Sequence, residues 1–156
     1  MLEHVLIVGM GRRQCDEAVT LIIQQPEILT SLFQLVTAGK REQRMKGSWV
    51  LSRIHEVSPS LVKPHYSEML MQLEAETIGG VKRELLKCFV KAELNNDSLN
   101  QLLMITLKWV TDPQQDLAVR YVCFKILKGH MANFPELKSE LDQSIQLYRE
   151  KFGRFP

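Results

Sequence analysis

A repeat of 38 residues constrains the fold of this chain more than any other feature of its sequence. A basic residue followed by apolar residues at helical spacing recurs at Arg44, Lys82 and Arg120. The linkers recur with the same period, at residues 59–61, 97–99 and 135–137. A period near 40 residues with two helical patterns per copy is typical of stacked helix pairs, because one pair alone cannot bury its apolar face. The sequence therefore predicts a series of helix pairs.

The third copy carries the clearest family signature. Its second helix opens with an Asp-x-x-Val-Arg motif that runs from Asp116 to Arg120. This motif resembles the HEAT repeat family, and the resemblance covers residues 26–156. It implies an all-α fold that forms a right-handed alpha-alpha superhelix, a HEAT-like solenoid of about three helix pairs plus terminal helices. A fold of this kind does not by itself indicate an activity.

The 156 residues suit one domain. We predict an N-terminal cap at residues 1–25, helix pairs at residues 26–57, 58–95 and 96–133, and a terminal helix at residues 134–156. The individual helices are predicted at residues 16–25, 26–39, 40–57, 60–76, 80–94, 98–111 and 115–131. Gly9 and Gly11 predict a break before the first of these, and Pro64 falls in the opening turn of a helix, where proline is tolerated. The last repeat would contain a first helix without a second.

Composition favours a globular protein, because 45% of the residues are hydrophobic and 24% are charged. The longest apolar runs, such as residues 5–9, are too short to cross a membrane, and the positive charge of a secretory signal is missing before them. The cysteines have no paired spacing. We expect buried free thiols in a reducing compartment, and therefore a cytoplasmic protein without a membrane partner.

The sequence contains little that predicts chemistry. The four histidines are scattered, and His130 occupies an inner helix position that favours a hydrogen-bonded core residue over a metal ligand. Glu74 and Glu76 close a helix and are predicted to be solvated rather than an acid–base pair. No nucleophile has a partner at a motif spacing. We predict no catalytic residue, no metal site and no cofactor.

Charge is distributed unevenly between the two helices of each pair. The second helices, at residues 40–57, 79–94 and 115–131, carry twelve basic and five acidic residues, or +7, whereas their first-helix partners sum to −2. The resemblance implies that the second helices line a concave surface, which would then be basic. Solvated helix faces also collect lysine without any binding role, so this alternative stays open.

The recurring basic residue has a structural interpretation as well. In the resembled family this position often bonds an acidic residue in a neighbouring turn, which links the repeats in a ladder. Asp116 would be the partner of Arg120, whereas the equivalent positions of the first two repeats hold Lys40 and Ile78. The ladder is therefore expected in the third repeat.

Helical phase predicts which residues of the second helices face outward. These are the residues one, four, five and eight places after the basic one: Met45, Ser48, Trp49, Ser52, Arg83, Leu86, Lys87, Val90, Tyr121, Phe124, Lys125 and Lys128. Exposed together, Trp49, Leu86, Tyr121 and Phe124 would form an apolar strip that needs a cover. The alternative is that the helix register is off by one and these side chains pack against neighbouring repeats. The predicted partner-binding residues are Trp49, Arg53, Arg83, Lys87, Lys91, Tyr121, Phe124, Lys125 and Lys128.

Two classes of function follow. The first is a non-enzymatic interaction module that binds a protein or peptide of acidic character on a basic, aromatic-containing concave face. The alternative is nucleic-acid binding on the same face, as in the HEAT-like DNA glycosylases, although their catalytic residues have no match here. A second copy of the chain, in a homo-oligomer, and the folded-back N-terminal segment are further candidates to cover the face.

Overall fold

The structure is a computed structural model that describes residues 11–153, except for the side chain of Phe152. All regular elements in this range are helical. The α-helices are α1 (Arg12–Gln24), α2 (Leu29–Ala38), α3 (Arg41–Val57), α4 (Pro59–Val62), α5 (Tyr66–Ala75), α6 (Gly79–Lys87), α7 (Asn96–Thr111), α8 (Leu117–His130) and α9 (Glu136–Phe152). The predicted all-α fold class is confirmed, and the right-handed superhelical path stays a prediction.

The chain divides into two compact units, Met1–Cys88 and Phe89–Pro156. The first unit contains α1 to α6, and the second contains α7 to α9. The element bounds fall inside the predicted repeats, with α2 and α3 in residues 26–57 and with α7 and α8 in residues 96–133. The predicted repeat boundaries and the single domain stay predictions.

Helix α3 is the centre of the first unit, where it packs against α1, α2 and α6. Its inner side buries Val50, Leu51 and Ile54 completely. A Cβ atom added at Gly47 would lie 3.1 Å from Val36 Cγ2, so the glycine lets α3 approach α2 closely. The apolar stripe of each helix therefore supplies the core, as periodicity predicts.

In the second unit, α8 packs against α7 on one side and contacts α9 on another. Its apolar residues Val119, Ile126 and Leu127 are fully buried, and α9 contributes a buried face with Leu141 and Tyr148. Burial of about 1.5–3 kcal/mol per large apolar side chain makes these stripes the main source of stability.

The N-terminal half differs from the predicted helix bounds in two places. Gly11 N-caps α1, which begins four residues before the predicted start, and the Gly11 N–H donates to Gln14 Oε1 at 3.0 Å. The predicted break at Gly9 lies outside the described residues. The helix predicted at residues 60–76 is interrupted by a 3₁₀ turn at Lys63–His65. Pro64 lacks the N–H that an α-helix requires, so the expectation that it would be tolerated within one continuous helix was wrong.

The second helix of the second repeat is shorter than predicted. It was expected to reach Leu94, but α6 ends at Lys87. Beyond it, the Cys88 N–H donates to Leu85 O and the Ala92 N–H to Phe89 O, which are the i to i+3 bonds of tight turns. Cysteine, phenylalanine and valine follow one another there, and all three are weak helix formers.

Within the described residues, no single helix is long and apolar enough to cross a membrane. Arg12–Gln24 and Pro26–Ala38 pass that test only as a pair, with a bend of 114° between them.

Candidate functional site

The twelve residues that were predicted to face outward fall into three groups, which are exposed, half-buried and buried. Met45, Lys87, Tyr121, Lys125 and Lys128 are exposed, and Trp49, Arg83, Val90 and Phe124 are half-buried. Ser48, Ser52 and Leu86 are buried. The prediction that these three face outward was therefore wrong, and Leu86 does not extend an apolar strip. In the first two repeats, the positions one and five places after the basic residue are exposed or half-buried, and Val90 is half-buried as well.

Flanking helices explain the burial of the other positions. Helix α3 lies between α1 and α6, so its two sides are covered as well as its inner face. Ser48 and Ser52 occupy these flanks. The Ser48 hydroxyl donates to Met45 O, and the single proton of the Ser52 hydroxyl is directed at the nearer of two acceptors, Glu84 Oε2, with Trp49 O at 3.1 Å. A small side chain that satisfies its own hydroxyl suits such a crowded helix flank.

A buried carboxylate, Glu84, connects α3 and α6. The Ser52 hydroxyl donates to its Oε2 at 2.6 Å, and Lys87 Nζ reaches both oxygens, at 3.0 and 3.1 Å. Arg83 Nε donates to Oε1 at 3.1 Å. Burial of an unpaired carboxylate costs several kcal/mol, so these donors are what allow Glu84 to lie there. Two of the predicted basic site residues, Arg83 and Lys87, are thereby held in place, and Glu84 neutralises part of their positive charge.

Residues of two consecutive repeats line a pocket of about 190 Å³ beside this carboxylate. Its lining consists of Met45, Lys46, Trp49, Gly80, Arg83 and Glu84. Gly80 has no side chain, and a Cβ there would lie 3.1 Å from Met45 Cε. The absence of a side chain at residue 80 therefore leaves room for the Met45 side chain in the pocket wall. Trp49 and Arg83, both predicted site residues, lie together in this pocket.

Arg53, a further predicted site residue, bonds two carboxylates within the first unit. Its guanidinium forms an ion pair with Asp16 of α1, with 3.6 Å between Nη2 and Oδ1, and bonds Glu56 one turn further along α3. These partners hold Arg53 against α1 and reduce the positive charge that it presents to solvent.

The remaining site residues belong to the second unit. Tyr121, Lys125 and Lys128 are exposed on α8, and Lys125 Nζ lies 5.5 Å from the centre of the Tyr121 ring, a cation–π distance. Phe124 is half-buried, and Lys91 is exposed in the turn that follows α6. Along α8, two aromatic residues at exposed and half-buried positions are thus followed by two exposed lysines.

The first basic ladder position has a partner that the sequence did not predict. Arg44 Nε donates to Val36 O at 2.8 Å, and its Nη2 bonds a buried carboxylate oxygen of Glu76. Glu76 also accepts from the backbone N–H groups of Thr77 and Ile78, at 2.9 and 2.8 Å, just before α6 begins. The prediction that Glu76 is solvated was wrong, because a carboxylate with this many donors is stable in the interior.

The third ladder position also differs from the prediction. Arg120 does not pair with Asp116. Asp116 is exposed and occupies the N-cap position of α8. Arg120 Nε instead donates to Val110 O at 3.0 Å, and its guanidinium carbon lies 4.7 Å from the centre of the Tyr148 ring. The Arg120 guanidinium points between α7 and α9, towards Val110 and Tyr148. Asp116 lies at the start of α8, outside that space, and does not reach it.

Reactive groups are scarce in the described part of the chain. No cluster of His, Cys, Asp and Glu residues there could hold a metal ion. All three cysteines are buried. Burial raises the pKa of Cys15 to about 11 and that of Cys88 to about 12, so both stay protonated thiols at neutral pH.

Comparison with known proteins agrees with this architecture. A family model described as a HEAT repeat domain matches residues 2–153. No curated protein and no solved structure matches the chain. The family match extends over nearly all of the sequence, and the described residues have the all-α helix pairs that such a domain requires. The chain therefore belongs to the HEAT repeat family.

Proposed function

We propose that this chain is a non-enzymatic interaction module that binds an acidic segment of a partner protein. HEAT repeats generally mediate protein–protein interactions, and the family typically supplies scaffolds rather than enzymes. In the first unit the binding residues are Trp49, Arg83 and Lys87. Arg53 is a further proposed contact, although its pairing with Asp16 and Glu56 leaves it less charge for a partner. In the second unit the proposed contacts come from Lys91, Tyr121, Phe124, Lys125 and Lys128.

The pocket between α3 and α6 is the observation that carries this proposal. It places an indole, a thioether and a guanidinium around one small cavity. An aromatic wall beside a cation suits a ligand side chain with an apolar stem and a carboxylate at its end. Aspartate or glutamate on an amphipathic helix meets that description, and helix-in-groove recognition is a recurring mode of peptide binding.

Arg83 and Lys87 retain the capacity to bind a second carboxylate. Their side chains are 43% and 44% exposed. Arg83 contacts Glu84 through Nε, and its two terminal nitrogens have no hydrogen-bond partner among the described residues. A guanidinium can donate along two edges at once, so an incoming carboxylate would share Arg83 with Glu84 instead of displacing it.

Pairing of the basic residues favours an acidic protein over nucleic acid. Arg44 is bonded to Glu76, Arg53 to Asp16 and Glu56, and Lys46 Nζ lies 2.7 Å from Glu42 Oε1. A phosphate backbone needs a row of available cations at regular spacing, and its affinity depends on how many it neutralises. The carboxylates interspersed here would repel such a backbone. A peptide with a few acidic residues needs only the cations beside the pocket.

A binding titration tests the proposal. The probe is a fluorescent amphipathic peptide of alternating Leu and Glu turns, compared with the same peptide carrying Gln for Glu. Duplex and single-stranded oligonucleotides are tested in parallel at two salt concentrations. We expect the Glu peptide to bind and the Gln peptide to bind at least about tenfold more weakly, since charge-assisted hydrogen bonds contribute about 1.5–3 kcal/mol each.

Matched variants locate the binding residues. The double variant Arg83→Gln/Lys87→Gln removes two cations beside the pocket, and Lys63→Gln/Lys108→Gln removes two exposed cations that lie outside the second helices. We expect only the first to weaken binding of the Glu peptide. Equal affinities for the two double variants would overturn the site. Tight, steeply salt-dependent binding of the oligonucleotides without peptide binding would replace the function with nucleic-acid recognition.

A further inference from the structure

Arg44 shows what the recurring basic position binds when its site is complete. Its Nε donates to a carbonyl at the end of the preceding helix, and its terminal nitrogen bonds Glu76, which lies 32 residues further along the chain. Glu76 is buried and belongs to the turn after the first helix of the next repeat. The site therefore consists of one guanidinium, one backbone oxygen and one carboxylate from a neighbouring loop.

Arg120 has the first two parts of this arrangement and lacks the third. Its Nε donates to Val110 O at 3.0 Å, as Arg44 Nε does to Val36 O. The residue 32 places after Arg120 is Phe152, which has no carboxylate. Among the described residues, the two terminal nitrogens of Arg120 have no hydrogen-bond partner.

Arg120 is only 7% exposed as a residue, although its terminal nitrogens are not fully enclosed. A buried cation that lacks a carboxylate is costly, and one carbonyl bond with the face of Tyr148 compensates it only in part. A ligand that supplies the missing carboxylate would therefore form a bidentate, charge-assisted contact with the two terminal nitrogens of Arg120.

Open space lies beside Arg120. Arg120 lines two pockets of about 350 and 480 Å³, which share Thr111 and Leu147 with it. Leu147 is 66% exposed and supplies an apolar rim. Glu140 lines the first pocket, and Glu150 and Lys151 line the second. Since two of these rim residues are acidic, a run of several carboxylates would be repelled, whereas one carboxylate on an otherwise apolar segment is accommodated.

We propose that Arg120 binds a single Asp or Glu side chain from a loop of a partner protein, presented as Glu76 is presented to Arg44. This site is separate in its residues from the α3–α6 pocket, and it selects a different ligand, one isolated acidic residue among apolar neighbours. The two sites would let the chain hold two segments of acidic protein partners with distinct sequences.

The test uses the full chain and a peptide copied from its own first unit. The peptide has the sequence of residues 72–80 with alanine in place of Glu74, Gln-Leu-Ala-Ala-Glu-Thr-Ile-Gly-Gly, and blocked ends, so that it carries one carboxylate. The comparison peptide also has Gln in place of Glu76. NMR titration follows the Nε–H signal of Arg120 and the backbone amides of Thr111 and Leu147. We expect saturable shifts with the Glu76 peptide and at least about tenfold weaker binding of the Gln peptide.

Surface variants keep the test independent of folding. Leu147→Asp places a carboxylate on the rim beside Arg120 and should abolish binding of the Glu76 peptide. Met71→Asp, at a residue of the first unit that is 69% exposed, should leave binding unchanged. Equal binding of the Glu and Gln peptides, or no shift of the Arg120 signal, would overturn the proposal. Binding that appears only after residues 154–156 are deleted would also overturn it, because the chain's own end would then occupy the site.

Discussion

Replacement of Glu76 by alanine is the perturbation with the largest predicted effect on the first unit. Glu76 is buried, and its two oxygens accept from four donors, which are Arg44 Nη2, Gln72 Nε2 and the backbone N–H groups of Thr77 and Ile78. The substitution removes one end of a buried ion pair and leaves two backbone donors without their acceptor at the start of α6.

The loss of stability in Glu76→Ala depends on how well water can solvate the Arg44 side chain that remains. Removal of one partner of a buried ion pair costs about 3–5 kcal/mol. The Arg44 side chain is 17% exposed, so water reaches it in part and the lower end of this range applies. A loss of about 3 kcal/mol corresponds to a fall in Tm of about 6–12 °C for a chain of this length. Glu76→Gln keeps an acceptor for the backbone donors and should lose about half as much.

Urea unfolding, monitored by circular dichroism, measures these differences. Glu74→Ala is the matched control, because Glu74 lies two residues earlier on the same helix end and is exposed, so we expect a change within about 0.5 kcal/mol. The Arg44→Ala/Glu76→Ala double-mutant cycle should give a coupling energy above about 1 kcal/mol. If Glu76→Ala is no more destabilising than Glu74→Ala, the buried ladder in the first unit is refuted.

Three further predictions concern other parts of the chain. Arg120→Ala should destabilise the protein by about 1–2 kcal/mol in urea unfolding. It removes a charge-assisted bond and the contact with Tyr148, but it also removes a cation that lacks a carboxylate. Lys125→Ala should change stability by less than about 0.5 kcal/mol, and equal losses would contradict the prediction. Burial lowers the pKa of His55 below its ordinary value of 6.5, so the unfolded chain takes up the proton more readily than the folded chain. The free energy of unfolding should therefore fall as the pH drops below about 6.5, and it should fall less steeply in His55→Gln. Parallel pH profiles of the two proteins would contradict this. In hydrogen exchange, α9 amides should exchange faster than those of α8, because α9 buries only one narrow stripe of side chains whereas α8 packs on two helices. Equal protection would show that something else covers α9.

Helical periodicity predicted the cores of the helices but only part of their exposed side. The inner stripe of α3, with Val50, Leu51 and Ile54, is buried as expected. Ser48 and Ser52 were misplaced because a helical wheel describes one helix, and it does not show which flanks the helices of neighbouring repeats will cover. Polar residues on such a flank look solvated in the sequence although α1 and α6 enclose them.

The buried carboxylates were missed for a related reason. Glu76 and Glu84 stand in polar stretches, and their partners are far away in sequence. A signal for both was nevertheless present. Arg44 bonds Glu76 and Ser52 bonds Glu84 across the same separation of 32 residues, from α3 to the turn before α6 in the first case and to α6 itself in the second. A search for polar pairs at that separation would have found them.

The most direct test of an acidic partner at the α3–α6 pocket uses the two tryptophans of the chain. Trp49 is half-buried in the pocket lining, whereas Trp109 belongs to the core of the second unit. Each indole N–H gives its own NMR signal, and the acidic amphipathic peptide is titrated against both. We predict a saturable shift of the Trp49 signal, lost in Arg83→Gln/Lys87→Gln, with the Trp109 signal unchanged. A peptide that binds without moving the Trp49 signal would contradict the proposed site.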